Sequence, residues 1–518
     1  MALVSRVKRH TYIDSLVLMR AATKAREKPG VIDLVILMGT PRNKEAIAGT
    51  KLLTDEVCSA GPNDLFFVVE AESQEIAKKV LDEVERLLLT PSSTQAELQE
   101  MGLTTVRSLQ GALSIFPDAN LVLISIPGSY VKEEALRALR RGLNLMIFSD
   151  NVPLQDEVMI KQTARELGLL VMGPDCGTAL IAGTALGFAN QIKRGPVGIV
   201  GASGTGIQEI ACLVDLWGSG VSHAIGTGSN DVKAEVGGIT MQAGIDLLLS
   251  DQSTETIVVI SKPPAPSVQR VLLEKIGVST KSVVVHLQGG NRNAVRGTRA
   301  KFAATLAEAA ALAVECCGGC AKVEKDVQSR YVEYMQSAWK SLNNEQTLIR
   351  GVFVGGTFCG EAAGIILQEL GEVYTNIDYP GALPLPDYPS DFGHVCIDMG
   401  EDRFTRGRPH PMLEPAVCKQ RILFETANPH VGVLLLDVVL GYGVHFDPAG
   451  ALVPILKEAK ERAGLQNRGL AIVAHVCGTD RDPQVRQKQV EKLRQAGVLV
   501  ADTNAEAARI ACRIAKRR

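Results

Sequence analysis

The run Arg194 to Glu209, RGPVGIVGASGTGIQE, constrains this chain more than any other stretch. Val197 to Val200 is a short, mostly apolar run of the kind that forms a buried parallel strand. Gly201, Gly204 and Gly206 interrupt it, Ser203 and Thr205 supply hydroxyls, and an apolar helical pattern follows through Ile207, Ile210, Ala211 and Val214. The glycines predict a tight turn with positive φ and an unobstructed backbone, so that several amide N–H groups point at one anion. Strand, loop and fresh helix N-terminus together predict a phosphate site built from Gly201, Ala202, Ser203, Gly204, Thr205 and Gly206. A structural turn without a ligand is the competing reading.

Two nucleotide-binding alternatives fail on chemistry. A Walker loop needs Lys followed by Ser or Thr at the helix start, where this chain has Thr205, Gly206 and Ile207. A dinucleotide fingerprint places an acid about 20 residues on, at the end of the next strand. Here that strand, Val221 to Ile225, runs into Gly226-Thr227-Gly228-Ser229-Asn230, and Asp231 comes only after it.

With 518 residues, 46% of them hydrophobic and 22% charged, the chain has material for about three cored domains. A net charge of −2 argues against nucleic acid as a partner, and Lys516-Arg517-Arg518 is too short a basic tail to bind it. Arg6, Lys8, Arg9 and His10 lead into a mixed segment with Asp14, which is unlike a signal peptide, and no stretch nears the roughly 18 apolar residues of a membrane span. Eleven scattered cysteines suit a reducing cytoplasm, the expected location. Cys317 to Cys320 is a CxxC without a second pair at zinc spacing, so no metal site is expected.

The expected fold class is α/β, with several doubly wound parallel-sheet domains. Residues 1–100 read as an N-terminal α/β region, with strands Val31 to Leu37 and Asp64 to Glu70, a helix Gln74 to Leu88 and a linker at Thr90 to Thr94. Arg42 and Lys44 fit a capped helix start better than an anion site. Residues 101–192 alternate strand and helix, which places Asp150 and Asn151 in one loop and Pro174 and Asp175 in another, both on the carboxyl edge where α/β sheets bind ligands. They are candidate substrate or cofactor contacts. Residues 193–322 continue the alternation and end in an Ala-rich helix, Arg299 to Val314; a charged helix, Val323 to Leu342, leads to a last domain at 345–518.

That last domain repeats the opening device: strand Arg350 to Val354, a glycine loop with Gly355, Gly356, Thr357 and Gly360, then a helix. Two facing helix ends would hold a phosphoryl group that neither holds well alone. Residues 376–425 break the rhythm with seven prolines and carry Asp398, Glu401, Asp402, Arg403, Arg406, Arg408 and His410. They read equally as charge laid across an active site and as a solvated loop or subunit contact. Asp437 ends a predicted strand and His475 follows another.

Residues 120–290, through Ser149 to Pro153, Gly173 to Cys176 and especially GPVGIVGASG, resemble the α subunit of succinyl-CoA synthetase and related acyl-CoA synthetases. The resemblance implies a Rossmann-like CoA-binding-type domain, flavodoxin-like ligase-type domains, and a phosphate-binding helix starting at the glycine loop. The last third resembles the ligase domain that carries the opposing helix. Three departures stand out: Ala294 to Thr298 holds no histidine where that family has its phosphohistidine motif, the family's CoA-binding GxTGxQG is missing before residue 120, and no ATP-grasp segment is visible. His286, before that motif position, fits a satisfied buried histidine. The whole chain, with Gly407 to Met412 and Ala474 to Asp480, resembles the FdrA family. That likeness implies a subunit of a multicomponent oxamate carbamoyltransferase in allantoin degradation, exchanging oxalurate and phosphate for oxamate and carbamoyl phosphate.

The first expectation is thus phosphate-dependent carbamoyl transfer, with phosphate or carbamoyl phosphate as ligand and Arg408, His410 or His475 as charge stabiliser or acid/base. Alternatives are an acyl-CoA ligase, with CoA as ligand and another phosphate carrier, and a subunit that binds a phosphometabolite without turning it over. Expected partners are a small-molecule substrate and further subunits in an oligomer.

Overall fold

The computed structural model describes the chain except for residue 1, scattered positions between 12 and 51, residues 90–105 and 107, 322–326, 387–392, 406–408 and 517–518. The Thr90 to Thr94 linker, Arg42 and Arg408 lie outside the described residues. The chain divides into two compact units, one of Met1–Pro117 with Glu401–His410, the other of Asp118–Gly400 with Pro411–Arg518.

In the first unit, β1 (Ala2–Lys8), β2 (Val31–Met38) and β3 (Leu65–Ala71) form a sheet of order β1-β3-β2. Both pairings are antiparallel, so the N-terminal region is α+β, not the expected α/β. The sheet face bearing Leu34, Ile36, Phe67 and Val69 packs on Ala77, Val80, Leu81 and Val84 of α1 (Gln74–Leu89). Val35, Leu37, Phe66 and Val68 on the opposite face cover Ile47, Leu52 and Val57. Both faces are therefore buried, which is why β3 reads LFFVVEA instead of alternating polar and apolar residues.

The second unit is parallel α/β. A small sheet of β4 (Leu121–Ile124), β5 (Asn144–Ile147) and β6 (Val171–Met172) is linked by α2 (Gly128–Leu139) and α3 (Leu154–Leu167). The next sheet holds β7 (Thr178–Ile181), β8 (Thr184–Gly187), β9 (Val197–Gly201), β10 (Val221–Gly226), β11 (Thr256–Ser261), β12 (Ser282–Leu287) and β13 (Lys301–Phe302). Its order is β13-β12-β11-β9-β10-β7-β8, parallel except for the β7–β8 hairpin, which pairs antiparallel with β10. Its helices are α4 (Gly204–Leu216), α5 (Ile239–Ser250), α6 (Pro266–Gly277) and α7 (Leu306–Cys316). The expected helix from Arg299 starts instead at Leu306, where Thr305 accepts from Glu308 N, and the residues before it add the edge strand β13.

After α8 (Val327–Ser341), a wholly parallel sheet runs β16-β15-β17-β14-β18-β19-β20. Its strands are β14 (Leu348–Phe353), β15 (Tyr374–Thr375), β16 (Leu383–Pro384), β17 (Val395–Asp398), β18 (Val431–Val439), β19 (Ala471–Cys477) and β20 (Leu499–Ala501). Its helices are α9 (Gly356–Leu370), α10 (Lys419–Ala427), α11 (Pro448–Leu465), α12 (Arg486–Gln495) and α13 (Asn504–Lys516). All nine residues of β18, VGVLLLDVV, are buried, and each such Val or Leu side chain contributes about 1.5–3 kcal/mol of transfer free energy. The proline-rich segment thus contributes strands β16 and β17, too short for period-2 reading to find. β18 and β19 also outrun their expected ends, so Asp437 and His475 sit inside strands.

Strand order places the two glycine loops. β9 pairs with β10 on one side and β11 on the other, so the connections leaving it diverge; β14 is flanked in the same way by β17 and β18. Each loop therefore follows the strand at its sheet's topological switch point, where a crevice opens at the carboxyl edge. Every residue of α4 from Thr205 to Asp215 is buried. A helix buried on all sides, with Gln208, Glu209 and Asp215 among its residues, needs both apolar cover and polar partners, and α4 lies against β9 and α7 of its own module and against α9 and β19 of the other. Among the described residues no helix is long and apolar enough to cross a membrane.

Candidate active site at two helix N-termini

At the first loop, Ser203 caps α4 with extended backbone (φ −148°, ψ 116°), and its Oγ accepts from Gly206 N at 3.0 Å. Ala202 N donates to Ile260 O at 3.0 Å. Gly204 and Thr205 N–H groups have no intrahelical acceptor, being the first two of the helix. At the second loop Gly355 precedes α9 without any side-chain cap, which leaves Gly356, Thr357 and Phe358 N–H in the same condition. The loops meet: Ser203 Oγ and Thr357 Oγ1 share a hydrogen bond.

The glycines serve close approach, not unusual dihedrals. None of Gly201, Gly204, Gly206, Gly355, Gly356 and Gly360 has positive φ, which corrects that expectation. A Cβ on Gly355 would lie 2.9 Å from Thr205 Cγ2 in the opposing loop, and one on Gly360 would lie 1.9 Å from Gln288 Nε2. Gln288, at the end of β12, donates to Thr357 O at 3.1 Å. No local pattern marks Gln288, which reaches α9 only through the tertiary fold.

Carboxylates border the second loop. Asp437 accepts from Val354 N at 2.7 Å and from Gly355 N at 2.9 Å, so it shapes the loop from below. Burial pushes its carboxyl up to about 7, against the two backbone N–H bonds that favour the charged form. A Cβ on Gly356 would approach Asp398 Oδ2 at 2.6 Å, and Asp398 raises Asp437 further by like-charge repulsion. His475 neighbours Asp437 in the β18–β19 register, and its Nε2 is 2.8 Å from Glu209 Oε2 of α4. Both side chains are almost wholly buried, at 1% and 2% exposure. Phe358 meets the imidazole edge-on at 5.6 Å.

Polar groups lock the two modules together. Asn190 Nδ2 donates to Leu440 O at 2.9 Å and to Asp482 Oδ2 at 2.8 Å, Gln191 N donates to Asp482 Oδ1 at 2.8 Å, and Thr479 Oγ1 donates to Gln191 O at 3.0 Å. Glu361 of α9 accepts from Leu306 N at 2.7 Å and from Asn504 Nδ2 at 2.8 Å, joining α7, α9 and α13. Asp231, the acid past its loop, caps α5 through Thr240 N and Met241 N and pairs with fully buried Lys161 at 2.8 Å.

The other candidates divide. His410 belongs with the first compact unit, where burial lowers its pKa to about 4. Asp150 and Asn151 back the head of α2: a Cβ on Gly128 would lie 2.4 Å from Asn151 O and 2.5 Å from Asp150 O. Pro174 and Asp175 adjoin the loop after β10, where Ser229 Oγ donates to Asp175 Oδ2 at 3.1 Å and a Cβ on Gly228 would lie 2.0 Å from Pro174 O. His286 is buried against Ala303 O at 3.1 Å, with its pKa lowered by burial.

Three stretches match known family descriptions: an AllF heavy metal-associated domain at residues 1–102, a CoA binding domain at 192–289 and a CoA-ligase at 352–514. Over 498 residues, 96% of each chain, this sequence is 39% identical to "Uncharacterized protein YahF" of Escherichia coli. It is 30% identical over 150 residues to the succinate–CoA ligase [ADP-forming] subunit alpha of Aquifex aeolicus, covering 28% of this chain and 48% of that one. The crystal structure of PH0766 from Pyrococcus horikoshii aligns over 80% of this chain and 88% of its own at 14% identity, with a TM-score of 0.34. The heavy metal in the first description finds poor donors here. Residues 1–102 hold one cysteine, Cys58, and one histidine, His10, whereas a soft ion favours several thiolates. Among the described residues no cluster of His, Cys, Asp and Glu is placed to hold a metal ion.

Proposed function

The chain belongs to the same family as YahF, a succinyl-CoA-synthetase-like family, and on that premise we propose that it is the FdrA-type subunit of an oxamate carbamoyltransferase. It would convert oxalurate and phosphate to oxamate and carbamoyl phosphate in allantoin degradation, working in the cytoplasm beside the other subunits of an oligomeric complex. One observation carries this reading: the hydroxyls of Ser203 and Thr357, each at the head of a switch-point helix, touch. An anion that replaced their mutual bond would meet two helix N-termini, each carrying about half a positive charge.

The step is a displacement at the carbamoyl carbon. A phosphate oxygen bonds to that carbon, the C–N bond to the oxamate nitrogen breaks, and the proton released by phosphate ends on that nitrogen. The N–H groups of Gly204, Thr205, Gly356 and Thr357, with both hydroxyls, would stabilise charge on the phosphate and the carbonyl oxygen without reorganising. Phosphate is the free nucleophile, in keeping with the lack of a histidine between Ala294 and Thr298. Asp437 would orient the second loop and, when neutral, spare the anion a like charge.

The CoA-binding match favours a second reading, an acyl-CoA ligase with CoA as ligand. ³¹P NMR of the chain with its copurifying subunits separates the readings. Carbamoyl phosphate formed from oxalurate and phosphate alone supports the first. Turnover only with CoA and a nucleotide supports the second, and phosphate binding without turnover points to a non-catalytic subunit.

A further inference from the structure

We propose that His475 is the proton carrier of this site, and that Glu209 fixes it in the tautomer with the proton on Nε2 and a free lone pair on Nδ1. The inference rests on the phosphate reading above and adds to it the group that moves the proton. Nε2 faces Glu209 Oε2 at 2.8 Å. A ring nitrogen facing a carboxylate carries the proton, so the other nitrogen of the neutral ring is the acceptor. Nδ1 is buried and, among the described residues, has no hydrogen-bond partner. A buried ring nitrogen without a partner is costly, and a donor from the ligand would relieve that cost.

The imidazole lies beside the loop that opens α9. Phe358, the third residue of that helix, packs edge-on against it at 5.6 Å. Asp437, its neighbour across β18 and β19, holds Gly355 N at 2.9 Å. Further titratable groups of this seam include Cys212, one turn beyond Glu209 on α4, Cys477, two residues beyond His475 on β19, Glu361 of α9, whose carboxyl is raised by burial and by Glu209, and Asp398 beside Asp437. Burial raises both thiols and the Glu361 carboxyl, and Glu209 is the carboxyl group bonded directly to the ring.

As the phosphate oxygen attacks the carbamoyl carbon, its proton passes to Nδ1. When the C–N bond breaks, Nδ1 returns that proton to the departing oxamate nitrogen, so no proton is gained or lost overall. Between the two transfers the imidazolium is stabilised by the Glu209 carboxylate, which makes Glu209 a positioning residue.

Histidine-¹⁵N NMR of the full chain reads the tautomer directly. The account requires a His475 ring protonated on Nε2 and bare on Nδ1; a ring protonated on Nδ1, or on both nitrogens, at neutral pH overturns it. Kinetics of oxalurate phosphorolysis then test the role. His475→Gln should lower kcat by about 100-fold or more with little change in KM for phosphate. Glu209→Gln should lower kcat less and give a mixture of tautomers. An unchanged kcat in a His475→Gln variant that still binds phosphate refutes this inference and leaves the phosphate reading standing. Failure of the wild-type chain to bind phosphate removes both. If His475→Gln does not fold, the wild-type tautomer and the Glu209→Gln kinetics decide.

Discussion

Replacing Gly355 by alanine tests the apposition of the two helix heads. The backbone there (φ −111°, ψ 116°) suits alanine, so the substitution carries no strain and gains about 0.4–1 kcal/mol by restricting the unfolded chain. Against that, the new Cβ would lie 2.7 Å from Phe358 Cδ2, 2.9 Å from Thr205 Cγ2 and 3.1 Å from Asp437 Oδ2. Phe358 is fully buried, Thr205 is 9% exposed and Asp437 2%, so none can swing into solvent. Overpacking of this kind costs about 1–3 kcal/mol. The balance is a loss of up to about 2.6 kcal/mol, read as a lower urea midpoint at unchanged slope. Gly464→Ala is the control: it lies in α11 with nothing within 4 Å of its Cβ position, and should gain about 0.5–1 kcal/mol. A Gly355→Ala protein stabilised as much as Gly464→Ala would mean that the helix heads do not touch.

Asp437 is neutral below about pH 7, so sulfate, whose charge is constant there, should bind more weakly as pH rises through 7, and Asp437→Asn should flatten that dependence in calorimetric titrations. Because the folded pKa of Asp437 lies above the unfolded value of about 3.9, its contribution to stability is full below pH 4 and lost as pH rises to 7; chemical denaturation of wild type and Asp437→Asn across that window should show it. Lys161→Met strands the buried carboxylates of Glu157 and Asp231 and should cost about 3–5 kcal/mol, seen as a lower unfolding midpoint. Asn190→Ala removes bonds to Leu440 O and Asp482 and should cost about 1–3 kcal/mol in the same assay.

The parallel sheets are legible because their strands are continuous Val, Ile and Leu runs separated by segments with helical apolar spacing. What escaped reading were elements too short for periodicity, such as Val395–Asp398, and pairing direction, as in the antiparallel N-terminal sheet. The site divided along the same line. Ser203 and Thr357 stood out because glycine loops are local signals, and the sequence could pair them only by analogy between two βα units. Asp437, Glu209 and Gln288 act through register and inter-module packing, which no local pattern encodes. The apolar run ending at Ala474 places His475 just past a strand, whereas β19 extends through it to Cys477. Close approach and positive φ select the same residue, so a glycine loop in sequence does not distinguish them, and here close approach is the reason.

The most direct measurement is a crystal structure of the chain soaked in phosphate, with the anion located by difference density. The account predicts one phosphate bonded to both Ser203 Oγ and Thr357 Oγ1 and to N–H groups of α4 and α9, with the hydroxyl–hydroxyl bond broken. Separate anions at distant sites, or an intact Ser203–Thr357 bond at saturating phosphate, would contradict it.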